Sequence, residues 1–158
     1  MTVASCHYIG SDPEMHTGKV LREFIIENNL CTVKPDMRFL GFNNPVDPSA
    51  PHGYERWVSI PEDLEVSDPM KKVKFHGGLY AAHAIKMGDF DHWQLLWNWV
   101  LQSKLYTPDW GSLRCTPHSK TMDWSFEEEL NFINNVQNPR LNETDIQLDL
   151  LVPIKKNS

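Results

Sequence analysis

The chain has 158 residues, of which 41% are hydrophobic and 23% charged, with a formal net charge of −6. That is the length of one domain with a real core, and the acidic balance argues against direct binding of nucleic acid, which wants a basic face. No apolar run approaches the roughly 20 residues of a membrane span, and Met1–Cys6 is not a basic segment leading into an apolar one, so a cytoplasmic location is expected. Cys6, Cys31 and Cys115 are far apart with no CxxC, and the seven His are scattered, so neither a metal nor a cofactor is assigned.

In chain order, Val3–Ile9 reads as a strand ended by Gly10-Ser11-Asp12-Pro13. A helix runs from Pro13 to about Asn29, with Val20, Leu21, Phe24 and Ile25 on one face. Met37–Phe42 is a second strand, and a Pro-rich loop leads to a third, Tyr54–Pro61. That strand alternates with period two. Tyr54, Val58 and Ile60 fall on one side with Arg56 off-pattern among them, and Glu55, Trp57 and Ser59 fall on the other. Glu62–Met70 is an acidic connector, and Lys71-Lys72-Val73-Lys74 is a solvated basic edge. A strand begins at Val73–Phe75, is interrupted at His76-Gly77-Gly78 and resumes over Leu79–Ile85, the glycines marking a bulge or close backbone approach. A second helix covers about Asp91–Leu105, with Trp93, Leu96, Trp97, Val100 and Leu101 as its apolar face. Tyr106–Asp123 is irregular, Trp124–Asn131 is a strand, Phe132–Thr144 a polar loop and Ile146–Ile154 the last strand.

This is strand–helix–strand–strand written twice, with pseudo-repeats of about 1–61 and 72–155 inside one domain spanning 1–158. The expected architecture is α+β: an antiparallel sheet with two helices on one face and a ligand cleft between the copies on the other. On that geometry Trp57 is the first binding residue, because an indole on the polar side of a strand needs a reason to be there, and Glu55 lies beside it. Phe39, Tyr80, Trp110 and Trp124 are further aromatic candidates, the last two as a lid. Aromatic faces hold cations and stack flat heteroaromatics. Strand parity sets Glu127 and Glu129 on one side and Phe126, Glu128 and Leu130 on the other, with Glu128 the pocket acid if the register is off by one.

Gly41-Phe42-Asn43-Asn44-Pro45, Tyr54-Glu55-Arg56-Trp57-Val58-Ser59-Ile60-Pro61, Gly77-Gly78-Leu79-Tyr80-Ala81, the Trp-rich helix, Phe126-Glu127-Glu128 and Leu148–Ile154 together resemble the GyrI-like small-molecule-binding proteins. The family shares its fold with the effector-binding domains of AraC- and MerR-type multidrug regulators. The resemblance implies the same duplicated α/β fold and places the pocket carboxylate at Glu127. Since the first strand starts at once, without a helix-turn-helix segment, it implies a free-standing binder. The Tyr-Glu-x-Trp and Gly-Gly-Leu-Tyr-Ala stretches look like the branch that hydrolyses the cyclopropane of DNA-alkylating natural products, where Glu127 would be the catalytic acid or base. Arg56 and Glu129 depart from the family, which often has aromatic residues at both places.

Three functions therefore compete. The first is binding of small aromatic or cationic molecules and xenobiotics; the second is hydrolysis of cyclopropanoid compounds. The third is inhibition of an enzyme such as gyrase through a protein partner that the residues do not identify. Following ring opening of a cyclopropane-containing alkylator would separate the first two, and loss of turnover but not of binding in Glu127→Gln would support the second.

Overall fold

A computed structural model describes residues 1–47, 49–109, 125–138 and 140–157. Strand β1 (Thr2–Ile9) leads through Asp12 to helix α1 (Pro13–Glu27), which has Pro at its first turn, where a missing N–H costs nothing. Pro13, Thr17, Leu21, Phe24 and Ile25 are its buried positions, spaced for a single stripe. Asn29, with φ 50, turns the chain into a short helix α2 (Leu30–Val33) that hydrophobic periodicity did not announce, since four residues are too few to show one. Strands β2 (Phe39–Asn43) and β3 (Gly53–Ile60) form an antiparallel pair.

The stretch read as one interrupted strand is two. β4 (Lys71–Lys74) pairs with β1, whereas β5 (Leu79–Lys86) pairs with β8 (Gln147–Lys156), at the other end of the sheet. Helix α3 (His92–Gln102) follows, then β6 (Tyr106–Pro108), β7 (Phe126–Glu129) and a helix α4 (Phe132–Gln137) where a polar loop was expected. Leu101 is exposed, so the packed stripe of α3 is narrower than its apolar residues suggest.

The sheet runs β4-β1-β3-β2-β7-β8-β5, with β6 added to β8, and every pairing is antiparallel. Leaving β4 and β6 aside, the order is symmetric about the β2–β7 pair: a strand–helix–strand–strand unit lies on each side. This is the α+β fold anticipated from the sequence.

Phe75–Gly78 connects β4 to β5, strands at opposite ends of the order. In a flat sheet these would lie about 29 Å apart, at roughly 4.8 Å per neighbour, whereas so short a connection reaches at most about 18 Å. The sheet must therefore curl, and the ring contacts show around what. Phe75 and Tyr80, from the two ends, meet Phe126 at centroid distances of 5.6 and 6.0 Å. Trp57, Phe42, Leu40, Val3 and Leu151 complete this buried cluster, on the sheet face away from the helices. On the other face α1 packs on Ala4, Cys6, Val58 and Ile60, and α3 on Ala81, Ile85 and Val152.

Both faces of β3 are thus covered, and Arg56 is its one incompletely buried residue. Cys6 sits under α1, and its thiol is pushed up to about 11 by burial and then by the nearby Glu55 carboxylate, so it is unreactive at neutral pH. No helix among the described residues is long and apolar enough to cross a membrane.

Candidate functional site

Helix α1 contacts β1 and β3, and α3 contacts β5, β6 and β8. The central pair β2–β7 lies between them, and a cavity of about 980 Å³ opens there. The cleft is therefore on the helix-bearing face, not on the opposite one where it was expected. Curling decides this: the far face has closed on its own aromatic cluster.

The register builds the cavity floor. Gly41 of β2 pairs with Arg56 of β3 on one side and with Glu127 of β7 on the other, so Arg56, Gly41 and Glu127 form a row across three strands. Gly41 has no side chain, and the Tyr54 ring occupies the vacated place: a Cβ on Gly41 would come within 2.3 Å of the Tyr54 hydroxyl oxygen. Lying there, Tyr54 donates its hydroxyl to Glu127 Oε2 at 2.6 Å. Trp93 of α3 lines the cavity and opposes the rise of the same carboxyl. Glu129, two residues on and on the same face, accepts from Asn135 Nδ2 at 3.0 Å.

Burial pushes the Glu127 carboxyl above its ordinary range, against the opposing effects of the Tyr54 hydrogen bond and the Arg56 charge. Burial raises Glu129 likewise, opposed by Asn135, Arg22 and Arg56. Burial, then the Glu127 charge, holds the Tyr54 phenol well above its usual value, so it remains a donor. Arg56 stacks its guanidinium on Phe39 and Tyr54, 5.3 and 5.0 Å from the ring centroids. Phe39 is in turn stacked on Phe132 of α4 at 4.2 Å. The floor thus presents two reluctant carboxylates, a guanidinium and the rings of Phe39 and Tyr54 under a roof of two helices, to which α3 adds Trp93.

The structure brings together only part of the set proposed from the sequence. Glu127 and Phe39 line this cavity. Glu128 does not: it points to the other face and holds Arg38 through two hydrogen bonds, so the one-residue register slip did not occur. Trp57 and Glu55 are also on the other face. Trp57 is fully buried, edge-on to Phe42 at 5.2 Å, and donates its indole N–H to Glu55 Oε1 at 2.7 Å. Glu55 further accepts from the Ser5 hydroxyl at 2.6 Å and from Asn44 Nδ2 at 2.7 Å. That is the reason an indole sits on the polar side of β3: it satisfies a buried acid. Tyr80 packs by Phe126 and borders a separate, smaller hollow of about 550 Å³ along β5 and α3. Trp110 and Trp124 lie outside the described residues.

Sequence reasoning missed Tyr54, Arg56, Trp93 and Gly41 as site residues. Two signals were present: an arginine off-pattern on the core-facing side of a strand, and a glycine in the middle of another.

The placement of Trp57 carries a prediction. Trp57→Phe removes a donor from a buried carboxylate and leaves a gap, and should cost about 2–3 kcal/mol in chemical denaturation. Affinity for a ligand of the cavity should stay within about twofold, since the two sites lie on opposite faces of one sheet. A tenfold loss of affinity would put Trp57 back in the binding site.

An open, curled antiparallel sheet with two helices on one face is the architecture of the GyrI-like effector-binding proteins. The chain belongs to the family described as integron-associated effector binding protein, whose sequence profile, Cass2, matches residues 1–154. A search of curated protein sequences gives no match.

Proposed function

We propose that the protein binds flat aromatic cations, of the kind typified by xenobiotic dyes and drugs, in the cavity between α1 and α3. Membership of an effector-binding family supports small-molecule binding as the class of function. The observation that carries the finer reading is the Glu127 carboxyl, desolvated at the floor of a cavity of about 980 Å³ beside Tyr54, Phe39 and Trp93. Burial disfavours the ionised form of such an acid, and an arriving cation offsets that penalty while meeting the rings that line the cavity. The volume suits a drug-sized molecule.

The test is titration with N-methylacridinium, whose charge does not depend on pH, followed by fluorescence and calorimetry. Affinity should rise with pH through the raised titration of Glu127 and Glu129, because only the ionised carboxylates attract the ligand. Binding in the lower part of that window should release protons, seen as a dependence of the observed heat on the buffer's ionisation enthalpy. Affinity that is flat from the ordinary glutamate range up to neutral pH would remove the carboxylates from recognition.

A further inference from the structure

The two faces of the sheet treat their opposite charges differently. On the far face, Arg38 and Glu128 close on each other as a two-pronged ion pair. On the cavity face, Arg56 and Glu127 belong to one cross-strand row but are two strands apart, so their backbones are separated by roughly 10 Å at the usual spacing. They do not form an ion pair. The position between them is Gly41, and what fills it is the Tyr54 ring. The hydrogen bond Arg56 makes to a described residue is a long one, from Nε to the Glu14 carbonyl oxygen at 3.4 Å, so its terminal nitrogens are available toward the cavity that Arg56 lines. The roof carries both signs, since α1 contributes Lys19 and Arg22 but also Glu14 and Glu23 to the lining. In a site for simple cations a guanidinium on the floor favours the ionised carboxylates but also repels the ligand, and like charges repel most where water is excluded.

We infer that the preferred ligand is amphoteric: a planar heteroaromatic zwitterion, with its cationic end at Glu127 and an anionic group at Arg56. This rests on the aromatic-cation reading above and narrows it. The pair is held open by a glycine and a ring, and a ligand with opposite charges at its two ends closes it. Each end then meets an opposite charge: guanidinium with carboxylate in a charge-assisted hydrogen bond, cation with the Glu127 carboxylate and ring faces. Arg56 also becomes the residue that sets specificity, rejecting ligands with positive charge at both ends.

Three acridines test it: N-methylacridinium, the same ring with a carboxylate at the edge opposite the charged nitrogen, and the acridine carboxylate without the methyl group. At neutral pH the zwitterion is expected to bind about tenfold more tightly than either single-charge compound. In Arg56→Gln the order should reverse, with the zwitterion weakened and the simple cation strengthened by loss of the like charge. Arg56→Lys, which keeps the charge without the planar fork, should retain part of the preference and shows that a change in Arg56→Gln is not misfolding. If the cation binds and the zwitterion binds no better, the amphoteric assignment falls and the cation reading stands. If neither compound binds the wild-type protein, both fall.

Discussion

Glu127→Gln is expected to weaken binding of N-methylacridinium by about 2 kcal/mol, roughly thirtyfold in dissociation constant, while making the empty protein harder to unfold. The two effects have one cause. Burial raises the Glu127 carboxyl in the folded state, so the folded protein holds its proton to higher pH than the unfolded chain does. A group of this sign contributes its full stability below the unfolded titration range and loses it as pH rises through the folded one. At neutral pH the ionised acid therefore costs stability, and a neutral amide that still accepts from Tyr54 relieves that cost. The melting temperature of the variant should exceed that of the wild type at neutral pH, with the difference shrinking as pH is lowered. Saturating ligand should reverse the order. A variant that is less stable at every pH, with unchanged affinity, would mean that Glu127 serves packing alone.

Gly41→Ala should cost about 2–3 kcal/mol, a large loss for one methyl group on a strand. The methyl would need the space where the buried Tyr54 ring lies, with Cε1 at 2.7 Å and the hydroxyl at 2.3 Å from an ideal Cβ. Tyr54 cannot retreat without breaking its bond to Glu127 and its stacking under Arg56, so ligand affinity should fall with stability. Tyr54→Ala reopens the space. The double variant should then be less destabilised than the sum of the two single ones, measured as a cycle in chemical denaturation. Strict additivity would show that the ring and the glycine are not in contact.

The order of elements was legible because each major one carries its own period. Leu21, Phe24 and Ile25 mark α1, and the alternation from Tyr54 to Ile60 marks β3, with both faces of that strand sorted correctly. Short elements escaped: α2, α4 and β6 have three to six residues, too few for a pattern to rise above the polar background. The location of the cavity escaped for a deeper reason. Period two states which residues share a face, but not which face stays open. That depends on how far apart α1 and α3 sit over the central strands and on the curl that brings Phe75 and Tyr80 together over Phe126. Both are tertiary facts. Trp57 was therefore taken as a ligand contact when its indole serves Glu55, and Tyr54 was taken as core when its hydroxyl reaches the cavity acid.

Strand β3 has one further consequence. An antiparallel strand ordinarily tolerates exchanges on its wet side, but seven of its eight residues are buried. A saturation library over 53–60 should accept almost nothing at those seven places. Arg56 should be the exception, so variation in this segment is channelled into its one incompletely buried side chain, which faces the chamber, where it alters what is held and leaves the framework intact.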